Sequence, residues 1–347
     1  MYKFSVIFLA VLLSCVGLYA QHTETFNLIY PELPFSNGLY NKLQVLDSRT
    51  DTTQLGIVQT GAFNRKAKVI TNKPLGPNLV RMFGLLSQFT TVKGTMLLQL
   101  RQFSFAEITA SMSEKGYCYL RAGLYSQKAG QYQKIKFIDT VIYLSSIDVT
   151  QPLLRKGSEA LTDFITHGML SRPIDSTLYS YQDLVNIDEL EKQKLKLYTA
   201  TNYTDGLYLT YRSFASQVPD KPVTVKGMVS NMGNVTTIND KGKPQRVKPQ
   251  KVYAIVYNGQ PYVTSRDDFY PVTKTGNDFI FTGKAAVAAN TGEVVMASVF
   301  FGMLGGLMAS GGAESTFEMK IDHVNGGFIR LLEIPNTTPA SSYDYTY

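Results

Sequence analysis

Cysteine, histidine and tryptophan are scarce: the 347-residue chain has two cysteines, three histidines and no tryptophan. Cys15 falls inside an apolar N-terminal run, which leaves Cys118 as the one thiol of the body. One thiol closes no internal disulfide, so the fold has to rest on its own hydrophobic core. The histidines, His22, His167 and His323, fall on three separate predicted elements, so no clustered His/Cys metal set is expected. There is no H-E-x-x-H, no C-x-x-C pair and no G-x-S-x-G elbow. Gly242-Lys243 and Gly283-Lys284 are followed by Pro244 and Ala285 rather than Ser or Thr, which excludes a P-loop ending. Asp267-Asp268 sits in a turn, where Asp serves the backbone. No catalytic residue, metal ligand or cofactor site is therefore assigned. Catalysis by two carboxylates distant in sequence stays open.

Long runs without charge are also few, and two of them matter. The first follows Lys3 and covers residues 4–13; with Ala20 before Gln21 it reads as a signal peptide over residues 1–20. The expectation is an exported protein of the periplasm or outer-membrane periphery that begins at Gln21. Leu12-Leu13-Ser14-Cys15 also fits a lipobox, in which Cys15 would be lipidated and anchor the chain. The second run, residues 294–313, has no charge. As a helix it would be about 30 Å long. Ser298, Gly302, Gly306 and Ser310 recur at four-residue spacing, with Gly302 and Gly306 forming a GxxxG pair. Three readings follow: a buried or loop-like segment, a membrane-contacting or self-associating one, or a single span.

Between these runs the pattern is α+β in two domains, each an antiparallel-rich sheet with one or two packed helices. Residues 21–40 read as a flexible leader and 41–170 as the first domain. Residues 77–89 have helical spacing. In residues 95–105 strand alternation slips at Arg101-Gln102, which predicts a bulge. Residues 117–125 and 132–144 read as a hairpin about Lys128-Ala129-Gly130, with Cys118 on one face with Leu120, Ala122 and Leu124. A helix starts at Thr150 as N-cap and ends at Gly168, with His167 exposed in its last turn. Residues 171–183 read as a linker, and 184–335 as a β-rich second domain. Asn186 with Glu189 is read as the start of a helix over 187–197. Asn258-Gly259 and Asn325-Gly326 predict tight hairpins, the second flanked by His323 as an ordinary turn residue. Residues 336–347 are polar and read as a disordered tail.

Leu46-Asp47-Ser48-Arg49-Thr50-Asp51, the long strand pair, and Asp148-Val149-Thr150 leading into Ser158-Glu159-Ala160-Leu161 resemble the periplasmic α/β domain of ABC-transport auxiliary lipoproteins. That resemblance covers residues 41–170 and implies a non-enzymatic accessory role in an envelope assembly. Asp205-Gly206-Leu207-Tyr208-Leu209-Thr210-Tyr211, with Phe214 and Pro219, resembles a pattern of secreted bacterial proteins of unknown function.

The charge is mildly basic, formally +7. Lys241, Lys243, Arg246, Lys248 and Lys251 form a cluster opposed only by Asp240, in a stretch broken by Gly242, Pro244 and Pro249. This basic loop suits an anionic surface, and export argues against nucleic acid. The leading expectation is a non-catalytic structural or accessory component of a Gram-negative envelope assembly. Its partners would be envelope proteins, a membrane surface or a second copy of the chain. The alternatives are a carboxylate-dependent enzyme on envelope polymer and a soluble ligand-binding protein.

Overall fold

The computed structural model describes residues 22–31, 34, 36–61, 65–109, 113–229, 234–266, 268–287 and 313–335. The signal-type segment 1–20, the tail 336–347 and Ser298, Gly302, Gly306 and Ser310 lie outside the described residues.

The architecture is α+β. The first half contains β1 (Thr23–Phe26), β2 (Lys42–Asp47), β3 (Gly56–Thr60), β4 (Arg65–Thr71), α1 (Leu75–Leu86), β5 (Thr95–Thr109), β6 (Glu114–Lys128), β7 (Gln131–Ser146), α2 (Thr150–Met169) and β8 (Leu178–Tyr179). Its strands form an eight-stranded sheet in the order β1-β4-β3-β5-β6-β7-β8, with β2 also pairing to β5. The pairs β1·β4, β2·β5 and β3·β5 are parallel, and the others are antiparallel.

The second half contains α3 (Tyr181–Val185), α4 (Ile187–Gln193), α5 (Lys196–Thr199), β9 (Gly206–Tyr208), α6 (Tyr211–Ser216), β10 (Val223–Val225), β11 (Val235–Ile238) and β12 (Pro244–Arg246). It continues with β13 (Ala254–Tyr257), β14 (Gln260–Ser265), β15 (Asp268–Pro271), β16 (Thr273–Thr275), β17 (Asp278–Val287), β18 (Ala313–Ile321) and β19 (Phe328–Ile334). These strands form three small sheets, β10-β11-β12, β15-β14-β13-β9 and β16-β17-β18-β19.

The large sheet is buried on both faces at its centre: one face of its long strands is apolar, and the other mixes apolar groups with paired polar ones. Cys118, Leu120, Ala122 and Leu124 of β6 join Met96, Leu98 and Leu100 of β5 under α1 and α2. Burial pushes the Cys118 thiol pKa up, as suits a structural group. The other face carries Leu97, Tyr125 and Tyr132, which pack with Tyr179, Leu184 and Ile187. The second half thus covers the sheet through α3 and α4.

Several expectations need correction. The stretch read as a leader contributes edge strand β1, whose Phe26 stacks on Phe103 and Phe105 at 5.4 and 5.6 Å between ring centres. Burying one large ring holds that short strand in place. The stretch read as a linker contributes β8, and Ser180 with Asp183 forms the capping box at α3. Asn186 makes no side-chain cap, and the helix expected over 187–197 breaks into α4 and α5. The Thr150 hydroxyl does not cap α2. It lies 3.0 Å from Glu107 Oε2 and 3.1 Å from the Gln59 carbonyl oxygen. Gly168 lies inside α2 rather than ending it, and a Cβ there would sit 2.2 Å from Leu124. The three readings of the uncharged run, a single span among them, fall on residues outside the described ones. Val287 and Ala313, on either side of it, are paired across β17 and β18.

Other expectations match. The bulge falls between Leu100 and Gln102, leaving Arg101 outside the ladder. Asn258 and Gly259 turn with φ of 51° and 71°, the geometry of a type I′ hairpin. Asp205, from the sequence motif 205–211, accepts the N–H groups of both turn residues at 2.9 and 2.8 Å.

Gly157 lets α2 approach the sheet: an added Cβ would lie 2.5 Å from Phe105 and 2.9 Å from the Cys118 sulfur. Gly157→Ala should destabilise the protein by about 1–3 kcal/mol through overpacking. Urea denaturation checks this, and an unchanged midpoint would contradict the packing described.

Candidate functional site

The bulge in β5 aims Arg101 out of the sheet toward α4. Its Nη2 donates to Asp188 Oδ1 at 2.6 Å and to Glu191 Oε2 at 2.8 Å, while Nη1 reaches Glu191 Oε1 at 3.1 Å. The guanidinium also lies 5.8 Å above the Phe137 ring. A bulge is a usual device for re-aiming a side chain without breaking a sheet.

Arg121, on the same face of β6, holds a second set. Its Nε donates to Asp139 Oδ1 at 2.9 Å, across the ladder on β7. Its Nη1 and Nη2 reach Asp322 Oδ1 and Oδ2 at 3.2 and 2.5 Å. Asp322 opens the turn between β18 and β19. Asn325 of that turn donates to Asp139 Oδ2 at 3.0 Å, and the Tyr119 hydroxyl donates to Asp139 Oδ1 at 2.8 Å. Arg121 and Asp322 are only 8% and 6% exposed.

Tyrosines fix the turn from the other side. The hydroxyls of Tyr211 and Tyr253 donate to the carbonyls of His323 and Gly326 at 2.7 and 2.8 Å. Gly326 has φ of 79°, and a Cβ there would lie 2.2 Å from Tyr211. The turn therefore arrives with Asp322 and Asn325 already oriented.

His323 joins the two sets. It is 8% exposed and its Nε2 lies 3.0 Å from Glu191 Oε2. The sequence reading treated it as an ordinary turn residue; the structure places it in the cluster. His167 instead sits exposed in the last turn of α2, with Nδ1 2.7 Å from the Asp163 carbonyl.

Asp188, Glu191 and His323 offer ligand atoms within 4.8 Å of one another, which raises the question of a metal. Arg101 already bridges both carboxylates and supplies the positive charge that a cation would bring. The donor set does not fit a metal without expelling a buried guanidinium. The chemistry of the cluster is charge pairing between the two halves.

The carboxyl groups respond accordingly. Burial alone would raise Glu191, but the hydrogen bonds from His323 and Arg101 overcome it and hold the carboxyl at about 2. Burial opposes ionisation of Asp139 as well, and Arg121, Tyr119 and Asn325 outweigh it, so its pKa is lowered. Glu107 is the contrary case, at the foot of α2. Burial pushes it up to about 7, against only two hydrogen bonds to Oε2 from Gln59 N–H and the Thr150 hydroxyl.

The five basic residues expected on one loop are spread over a turn, a strand and a short 3-10 turn. Lys241 and Lys243 lie in the β11–β12 turn, Arg246 on β12, and Lys248 and Lys251 just beyond; all five are exposed. Asp240, the acid that opposes them in sequence, pairs with Lys221 at 3.0 Å. Val235 and Val247 anchor this hairpin in a small core with Ile255 and Phe269.

Sequence reasoning missed the clasp, though signals for it existed. Arg101 stood at the phase slip, and Arg121 and Asp139 were lone charges inside apolar strands. What was absent was any local sign that Asp322 meets them from 201 residues away.

No family model matches the chain, and no curated protein matches it. Among solved structures it is similar to a Xanthomonas campestris protein of the DUF330 family, at 12% identity. That likeness covers 42% of this chain and 91% of the other, with a TM-score of 0.27. A score this low carries no argument about function. No comparison shows the likeness to ABC-transport auxiliary lipoproteins read from the sequence.

The two shifted glutamates predict a stability maximum in mildly acidic solution. Glu191 is depressed in the folded state, so its contribution is complete above the ordinary value of 4.5 and is lost as pH falls toward about 2. Glu107 is raised, so the folded state holds a proton that the unfolded chain releases, and stability falls as pH rises from 4.5 through about 7. Thermal melts across this range should show Glu191→Gln flattening the acid limb and Glu107→Gln flattening the alkaline limb. Wild-type slopes of the opposite sign would contradict both assignments.

Proposed function

We propose that the protein is an exported, non-catalytic accessory component of a Gram-negative envelope assembly. It works in the periplasm or at the periphery of the outer membrane, and its β11–β12 hairpin engages an anionic surface there. The observation that carries this reading is the set Lys241, Lys243, Arg246, Lys248 and Lys251. These cations are exposed along the β11–β12 hairpin and the turn that follows it, and Val235 and Val247 anchor the hairpin. Each cation close to an anionic bilayer contributes about 1 kcal/mol, so five give firm but salt-sensitive attachment. The clasp supports the same reading, since its charged groups are spent on joining the two halves of the chain.

Co-sedimentation with vesicles tests the reading. The protein should bind vesicles containing phosphatidylglycerol, release at high salt, and ignore neutral phosphatidylcholine vesicles. Changing all five cations to Gln should abolish binding while leaving the thermal midpoint in place. Equal binding to both vesicle types, or no binding to either, would overturn it.

A further inference from the structure

The large sheet ends in two unlike edges. Strand β1 is short. Strand β7 is long, and β8 covers it only at Tyr132 and Gln133. The Lys134 carbonyl then accepts the Ile174 N–H at 2.9 Å. From 136 to 146 the strand pairs with β6 in unbroken register on its inner side. Among the described residues nothing pairs with its outer side.

An edge of this kind presents a row of free N–H and C=O groups, and proteins usually blunt it with charge, proline or a bulge. Residues 136–146 contain no proline and no glycine, and the register shift of this strand lies before them. Their charges are Lys136, at the start, and Asp139, which Arg121 neutralises from inside. The rest is Phe137, Ile138, Thr140, Val141, Ile142, Tyr143, Leu144 and two serines, the composition of a strand interior. Tyr143 and Ile147 are 48% and 87% exposed.

The geometry points to a second copy of this chain as the occupant. We infer that β7 pairs antiparallel with the partner's β7 about a two-fold axis at Thr140, joining the two large sheets into one. The sequence of the edge is self-complementary in that register. Thr140 meets the partner's Thr140, and Ile138 meets the partner's Ile142. On the other face Phe137 meets the partner's Tyr143, an aromatic cross-strand pair. Lys136 falls opposite the partner's Leu144 and Asp139 opposite the partner's Val141, so no like charges face each other. Moving the axis by one residue to Val141 would set Phe137 against serine and Asp139 against tyrosine, losing both the aromatic pair and the isoleucine pair. An isologous contact of this kind closes on itself and stops at two copies.

Sedimentation equilibrium of the chain from Gln21, without detergent, is the test. The wild type should be a dimer. Thr140→Lys and Thr140→Glu each put like charges face to face on the axis, and each should weaken the dimer by roughly tenfold or more. Mixing the two variants should restore it, while their thermal midpoints show that the monomer fold is intact. Oxidised Thr140→Cys should give a covalent dimer, whereas Lys128→Cys, at the far end of β6, should not. A wild-type monomer would overturn the inference. So would a dimer untouched by either charge variant, or slow amide exchange along 136–146 in a monomer, which would mean that a segment of the same chain covers the edge.

Discussion

Arg121 is shared by two carboxylates, the partly buried Asp139 and the buried Asp322, which come from the two halves of the chain. Asp139 reaches it across one ladder of the large sheet, and Asp322 reaches it from the turn between β18 and β19. Such a cation cannot be left half-paired. Removing one partner from a buried set leaves an uncompensated charge and costs about 3–5 kcal/mol. A fully paired set gains less over an apolar substitute than its short distances suggest, so its main effect is directional. The Asp322 turn fits in one position only, with Asn325 on Asp139 and His323 on Glu191. The bulge at Arg101 adds a second fixed point on α4. Two points of charge pairing, with the apolar contact of Leu184 and Ile187 between sheet and helices, define how the second half lies on the first.

That constraint places the surfaces that face outward. One face of the large sheet is spent on α1 and α2, and the centre of the other on the clasp. What the described residues leave open is the outer edge of β7 and the basic hairpin anchored by Val235 and Val247. Asp139 belongs to both stories. Its pairing with Arg121 closes the interior and also removes the one negative charge that would have blunted the β7 edge.

Local chemistry was legible in the sequence wherever it acts over a few residues. The slip at Arg101, the Asn258-Gly259 turn and the apolar face of Cys118 all follow from periodicity and turn geometry, and each appears as read. Features that depend on distant partners were not. Residues 23–26 look polar and mobile until Phe26 meets Phe103 and Phe105. Residues 171–183 look like a linker until Tyr179 reaches Tyr125. His323 looks like a turn residue because nothing near it in sequence is acidic except Asp322, and Glu191 lies 132 positions away. The odd-numbered face of β6 carries Tyr117, Tyr119, Arg121 and Tyr125. Periodicity shows that set but not the Asp139 and Asp322 that pair with Arg121.

The central claim is that the two halves melt as one unit because the Arg121 and Arg101 pairings fix them together. Differential scanning calorimetry of the wild type against Asp322→Ala and its double variant with Arg121→Met tests it most directly. The account predicts one cooperative transition in the wild type. Asp322→Ala should split it into two, and the double variant should recover part of the loss by removing the stranded cation. Two separate transitions in the wild type, or a single transition unmoved by Asp322→Ala, would contradict it.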